Sequence, residues 1–251
     1  MSTAPRRTPR SRRRIAWLAF VGVGLLAVVA LAIRFVPVLG PTGTAWGYCD
    51  DLTHARYADL YQAHFAPELR TQISQAHFIA AEQLADHQAG PVANCDASPL
   101  NIALVRGGAQ AKVTEQRVHF AAVVTTLQLG GGDWLIIAFP DPAIAPFGTA
   151  QRFCDALAAG DYATAYGIFA PTITAQLTQD RYVGLEHFAD QTNGKVTACD
   201  IAQLTLDLPN HAATVHAQVT RQNGPPGGAD VAITLAQGDA GAWTISTLPT
   251  A

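Results

Sequence analysis

The sequence repeats itself at an offset of about 105 residues. The stretch YCDDLTHARYADLYQAHFAP at 48–67 returns as FCDALAAGDYATAYGIFAP at 153–171. The pairs that lie 105 residues apart are Cys49 and Cys154, Asp50 and Asp155, Leu52 and Leu157, Tyr57 and Tyr162, and Tyr61 and Tyr166. From there on the spacing is 104, as in Phe65 and Phe169, Pro67 and Pro171, Gly90 and Gly194, and Cys95 and Cys199. Matches at nearly constant spacing indicate that most of the chain consists of two copies of one supersecondary unit.

The duplication also constrains how the four cysteines pair; they are Cys49, Cys95, Cys154 and Cys199. An even number of cysteines in an exported chain favours disulfide bonds, and four cysteines allow three pairings. Each copy carries one pair at the same place, 46 residues apart in the first copy and 45 in the second. The repeat therefore favours Cys49–Cys95 and Cys154–Cys199. The sequence contains no C-x-x-C pattern, so we expect neither thiol catalysis nor a metal site.

An apolar stretch precedes the first copy. Residues 15–33, IAWLAFVGVGLLAVVALAI, are uncharged and long enough as a helix to cross a bilayer core of about 30 Å. Basic residues crowd its N-terminal side, whereas Arg34 alone follows it; they are Arg6, Arg7, Arg10, Arg12, Arg13 and Arg14. This asymmetry predicts a cytoplasmic tail at 1–14, a transmembrane helix at 15–34 that serves as a signal-anchor in membrane lipid, and a body outside the cytoplasm.

A cleaved signal peptide is the alternative, because Ala30-Leu31-Ala32 resembles a cleavage site. The apolar stretch is longer than the usual core of a signal peptide, which favours a retained anchor. Both interpretations place the body outside the cell membrane.

The charge of the body limits its partners. Beyond residue 45 the chain has nine basic and nineteen acidic residues, a net charge of −10. An acidic body is unsuited to nucleic acid, and the basic tail is explained by the membrane segment that follows it. With 49% hydrophobic and 14% charged residues, the chain is also not disordered.

Each copy changes from helical to strand-like periodicity. Apolar residues at helical spacing occupy the first part, in which Gly160 is expected to end one helix and Asp161 to cap the next. Alternating patterns then predict strands at 121–129, 134–138, 213–220, 231–236 and 243–248. The fold class expected is α+β, with three helices on an antiparallel sheet of about four strands in each copy. The copies span 46–140 and 150–251, and linkers span 35–45 and 141–149.

A family resemblance is carried by the helical phrase of each copy. The run LAAGDYATAY at 157–166, with a cysteine or aromatic residue before it and Phe-Ala-Pro after it, resembles the nuclear-transport-factor-2-like superfamily of α+β cones. That superfamily includes ketosteroid isomerase and scytalone dehydratase. The resemblance covers 46–140 and 150–249. It implies that the first helix crosses a concave sheet, so that Cys154 and Cys199, like Cys49 and Cys95, would join helix to sheet.

Four side chains are candidates for a pocket inside such cones: Tyr61, Tyr166, His119 and His216. The resemblance implies that the tyrosines could donate hydrogen bonds into a pocket, although packing in the core explains them better. His119 and His216 lie on predicted strands, and neither has a carboxylate partner that periodicity would align with it. We therefore expect no catalytic residues, no cofactor and no enzymatic activity.

Three functions remain open. The favoured one is a membrane-anchored, non-catalytic module that binds an envelope protein or a small ligand. The first alternative is a structural scaffold of a cell-envelope or secretion complex. This is suggested by an architectural similarity to bacterial Mce-associated membrane proteins and to the membrane scaffolds of secretion and conjugation machines. The second alternative is a cone-pocket enzyme related to isomerases and dehydratases.

Overall fold

The computed structural model describes residues 40–238 and 241–249. The predicted basic tail and transmembrane helix lie outside this part of the chain, as does the beginning of the 35–45 linker. Within these two ranges, no helix has the length and apolar character that a bilayer crossing requires. The membrane anchor therefore stays a prediction.

Two α+β repeats of the same design make up the described chain. In the first, a helix at 40–53 (α1) is followed by α2 (Tyr57–His64), α3 (Pro67–Arg70), α4 (Gln75–Ala89), β1 (Val92–Val105), β2 (Gly108–Arg117), β3 (Val123–Gly130) and β4 (Leu135–Ile136). The second contains α5 (Ile144–Ala159), α6 (Tyr162–Tyr166), α7 (Pro171–Thr174), α8 (Gln179–Asn193), β5 (Val196–Asp207), a short 3-10 helix (Leu208–Asn210), β6 (Ala212–Arg221), β7 (Ala229–Gln237) and β8 (Trp243–Ile245). Each repeat has one four-stranded antiparallel sheet in sequential strand order. The α+β prediction and the internal repeat are confirmed.

Equivalent residues begin and end the long helices in both repeats. Ser74 caps α4 by accepting a hydrogen bond from the backbone N–H of His77, and Thr178 caps α8 in the same way. Gly90 and Gly194 end these helices at φ values of 78° and 74°, which favour glycine. The predicted helix break is also confirmed, since Gly160 adopts a left-handed conformation and the Asp161 side chain accepts from the N–H of Thr164.

Two features of the helical part differ from the prediction. Among the described residues, each repeat has four α-helices before its sheet rather than three, because Pro67 and Pro171 start additional one-turn helices, α3 and α7. Helices also reach into both predicted linkers, with α1 extending back to residue 40 and α5 beginning at Ile144. Proline suggested a linker at 141–149, yet Pro146 lies in the first turn of α5, where no intrahelical N–H bond is lost.

The two disulfides join helix to sheet within each repeat. Cys49 of α1 is bonded to Cys95 of β1, and Cys154 of α5 to Cys199 of β5. The Cα atoms are 5.1 and 5.2 Å apart. The predicted pairing is confirmed.

Each repeat has its own hydrophobic core, but the two repeats also touch. Along β6, Ala213, Val215 and Ala217 are at most 1% exposed and face the helices. Helix α5 links the two cores, since its first residue, Ile144, packs in the core of the first repeat. The Nε2 atom of His77 in α4 also lies 2.8 Å from a carboxylate oxygen of Asp155 in α5. These contacts give the repeats a shared helical interface.

Candidate functional site

The predicted pocket tyrosines are structural. The Tyr61 hydroxyl lies 2.9 Å from the carbonyl oxygen of Arg70 and 2.8 Å from that of Ile73. The Tyr166 hydroxyl donates to the carbonyl oxygen of Leu177 at 2.8 Å. Both hydroxyls therefore hold the loop between helices in their own repeat, and their proton is already donated.

The two predicted histidines lie outside the cores. His119 is not on a strand: it lies in the exposed turn after β2, where its backbone N–H donates to Ala89. His216 is on β6 as predicted, on the face away from the helices. Contrary to expectation, it has a carboxylate partner, since Nδ1 lies 3.3 Å from both oxygens of Asp230 on the neighbouring strand. The structure does not bring the four predicted residues together at one site.

A charged network that was not expected from the sequence lies where β2 of the first sheet ends, opposite the start of β1. Arg117, the last residue of β2, donates through Nη1 to Asp86 at 2.7 Å and to the Gly90 carbonyl at 3.4 Å. Its Nη2 donates to Glu82 at 3.2 Å. The Tyr57 hydroxyl donates to the second oxygen of Asp86. The network therefore joins α2, α4 and β2.

The second repeat reproduces this network atom for atom. Arg221 donates through Nη1 to Asp190 at 3.0 Å and to the Gly194 carbonyl at 3.3 Å, and through Nη2 to Glu186 at 3.1 Å. The Tyr162 hydroxyl donates to Asp190 at 2.6 Å. Each charged member lies 104 residues after its counterpart, a spacing that is visible in the sequence.

A cavity of about 490 Å³ opens beside the second network. Its wall is largely apolar and includes Phe153, Leu157, Leu177, Val219, Ala229 and Val231. The polar side chains of its lining are Tyr182, Glu186, Asn193, Arg221 and Asn223. Volume and lining are typical of sites for small molecules, which combine apolar walls with a few convergent polar groups.

Tyr182 lines this cavity and carries a buried hydroxyl. The side chain is 5% exposed, and its hydroxyl has no hydrogen-bond partner among the residues that the structure describes. Burial, followed by the charge of Glu186, raises the pKa of Tyr182, so the hydroxyl keeps its proton. The hydroxyl is enclosed by protein atoms and interacts with the Glu186 carboxylate, so it is not a free donor that faces the cavity.

The first repeat places different side chains at the corresponding positions. Phe78 takes the place of Tyr182, and Glu115 takes the place of Val219 and accepts a hydrogen bond from Tyr48 at 3.0 Å. The Glu82 side chain is 5% exposed, against 21% for Glu186. Burial, together with the charge of Asp141, raises the pKa of Glu82 to about 8. The two repeats share the charged network, but the side chains at the positions that line the cavity differ in chemistry.

Two of the polar groups that line the cavity have charged neighbours. Glu186 is held by Arg221, and Tyr182 is a proton donor with a raised pKa. Across residues 40–238 and 241–249, no group of histidine, cysteine or acidic side chains is arranged to hold a metal ion. The geometry thus offers a largely apolar volume with a few polar side chains in its wall.

Comparisons with protein-family models, with curated proteins and with solved structures gave no match.

Proposed function

We propose that the protein is a membrane-anchored, non-catalytic binding module whose second repeat takes up a small, largely apolar ligand. The cone shape that the family resemblance implies belongs to this proposal. The body is held outside the cytoplasm by the helix at 15–34, and the second repeat presents its cavity there.

The observation that carries the proposal is the cavity of about 490 Å³ between α8 and the sheet of the second repeat. Protein cores are normally close-packed, and an apolar cavity of this size lowers the stability of the fold. Its presence therefore favours a function in binding. A ligand that covers Val219, Val231 and Leu177 removes apolar surface from water at about 25 cal/mol per Å². This gain favours binding without any chemical step.

Filling the cavity tests the binding. Ala229 lines the cavity, whereas Ala232 lies on the same strand and faces the other side of the sheet. We expect Ala229→Phe to weaken the binding of naphthalene by at least about tenfold, equivalent to ~1.4 kcal/mol. Ala232→Phe adds the same side chain elsewhere and should leave the affinity unchanged. Equilibrium dialysis of the full chain in lipid nanodiscs measures both, and equal affinities in the two variants would contradict the proposal.

The placement of the body has its own test. Protease added to intact spheroplasts should digest residues beyond 40, because the charge asymmetry around the apolar stretch directs them outward. Protection of the body, or its release as a soluble form that starts near Ile33, would show that the anchor prediction is wrong.

A further inference from the structure

We propose that the tip of the first sheet, at the end where α1 begins, is a membrane-contact surface that places apolar side chains in the lipid interface beside the anchor. The tip consists of the β1–β2 turn and the β3–β4 turn with their flanking residues, 104–108 and 130–137. The inference rests on the anchor in the proposed function and goes beyond ligand binding, because it fixes which side of the body faces the bilayer.

The two turns lie side by side at one end of the sheet. Gly108 opposes Val105 on one side and Gly130 on the other, and Gly130 in turn opposes Leu135. These four residues are the last of β1, the first of β2, the last of β3 and the first of β4. All four strands of the sheet therefore begin or end at the tip.

Aliphatic side chains of the tip are exposed on both faces of the sheet. Leu104, Val105 and Ile137 are 50%, 45% and 50% exposed. Leu104 opposes the buried Ala109 and so lies on the face that carries the helices. Val105 follows Leu104, and Ile137 follows the buried Ile136, so both lie on the other face. A protein that docks on one face would leave the other exposed, whereas a tip that enters a lipid layer is covered on both.

The start of α1 connects this end of the sheet to the anchor. Gly40, where the described chain begins, lies against the ring of Trp134, since a Cβ atom at position 40 would come within 2.4 Å of the Trp134 Cδ1 atom. The predicted transmembrane helix ends at Arg34, and the chain from there to Gly40 spans at most about 22 Å when extended. The body is therefore attached to the membrane through this end of the first sheet.

A second exposed apolar run lies at the opposite end of the sheet, between β2 and β3. Residues 118–124, VHFAAVV, are all exposed. Strand β2 has ten residues and separates this run from the tip by roughly 30 Å. The run is thus the farther of the two from the point of attachment, and the reach of the anchor favours the tip as the part that meets the lipid.

The polar residues of the tip indicate a shallow position in the headgroup region. Arg106 and Asp133, one in each turn, are exposed and their charges cancel. Trp134 lies beside Asp133, and tryptophan is enriched where membrane meets water. Charged groups remain with headgroups and water while aliphatic side chains reach the boundary of the acyl chains. Because the tip carries no net charge, the contact does not require anionic lipid.

The second repeat shows that the fold does not need an apolar tip. Asp207, the last residue of β5, stands where the first repeat has Val105. Ser246 stands where it has Ile137, and the backbone N–H of each donates to the equivalent carbonyl of the neighbouring strand. The same sheet is thus built with polar residues in the repeat that lies farther from the anchor along the chain.

Photocrosslinking of the full chain in phosphatidylcholine nanodiscs tests the contact. The photoreactive residue p-benzoylphenylalanine replaces Leu104 in the tip, Phe120 in the opposite run or Leu208 in the second repeat, all of which are exposed. Mass spectrometry of the peptides measures the fraction that carries lipid. We expect this fraction at position 104 to exceed that at 120 and at 208 by at least about tenfold, because only the tip reaches the acyl boundary.

Val105→Asp combined with Ile137→Ser transfers the residues of the second tip to the first. With the photoreactive residue at 104, this variant should form at least about fivefold less lipid adduct, since the aliphatic surface that favours leaving water is lost and the carboxylate must stay hydrated. Val124→Asp combined with Val123→Ser is the matched control. It makes the same kind of change at the opposite end of the sheet and should leave the adduct at 104 unchanged.

The outcomes separate the inference from the anchor on which it rests. A chain that does not remain in the nanodisc would show that the anchor prediction is wrong, and the inference with it. A chain that remains there but gives no lipid adduct at 104, or as much at 120 or 208, overturns the inference and leaves the anchor and the cavity in place. An adduct at 104 that survives Val105→Asp with Ile137→Ser overturns it as well.

Discussion

Replacing Cys154 and Cys199 together by serine should lower the free energy of unfolding of the second repeat by roughly 4 kcal/mol. The disulfide closes a segment of 45 residues, and in the chain-entropy model its removal returns that much conformational freedom to the unfolded chain. Native domains are stable by only about 5–15 kcal/mol, so this is a large share. The double variant leaves no free thiol that could pair with Cys49 or Cys95.

Hydrogen exchange of the full chain, followed by mass spectrometry, measures the effect in each repeat separately. Protected amides of β5, β6 and β7 should exchange about a thousandfold faster, the equivalent of ~4 kcal/mol. Serine at Cys49 and Cys95 is the matched control and should have the same effect on β1, β2 and β3. Equal acceleration in both repeats by either variant would show that the repeats unfold as one unit through the contact of α4 with α5.

Raising the pH from 5 to 8 should lower the stability of the first repeat by about 3 kcal/mol through Glu82. Its pKa is about 8 in the folded protein, against 4.5 for an ordinary glutamate, because burial and the charge of Asp141 disfavour the ionised form. A raised carboxyl pKa means that the folded state binds the proton more tightly than the unfolded state. The stabilisation is complete below pH 4.5 and is lost as the pH rises through 8, at about 1.4 kcal/mol per unit.

Glu82→Gln isolates this contribution. The amide is uncharged at every pH and can still accept a hydrogen bond from Arg117. The variant should therefore resemble the parent near pH 5 and be more stable by about 3 kcal/mol at pH 8. Glu68→Gln, on the exposed face of α3, controls for the change in net charge. Hydrogen exchange of the first repeat, corrected for the intrinsic effect of pH, gives the result. A parallel loss of stability in parent and Glu82→Gln would contradict the assignment to Glu82.

Much of the fold follows from local signals in the sequence. Gly160 and Asp161 mark a helix break because each residue suits one backbone conformation, and the strands of β6 and β7 show strict alternation. The disulfide pairing followed from the repeat alone. The linker boundaries do not follow from the sequence, because proline is common both in linkers and in the first turn of a helix. Pro146 lies in the predicted linker at 141–149, but it belongs to the first turn of α5.

The candidate site was harder to predict because it depends on packing between distant segments. Glu186 and Arg221 are 35 residues apart, and each alone has the character of a surface residue. Their constant spacing from Glu82 and Arg117 is a signal that a search for repeated charges would have found. The cavity has no such signal, because it results from the volumes of side chains on α5, α8, β6 and β7 that meet only in the folded repeat.

The first cysteine of the chain is bonded to the second, and the third to the fourth. This order simplifies the formation of the correct disulfides. A growing chain emerges with its N-terminus first, so Cys49 and Cys95 become available to each other before Cys154 and Cys199 emerge. Oxidation in order of appearance yields the native connectivity, with Cys154 and Cys199 following. Uncatalysed rearrangement of disulfides takes minutes to hours, and a chain that pairs its cysteines in sequence avoids that delay. Correct pairing therefore requires an oxidant but no thiol–disulfide isomerisation.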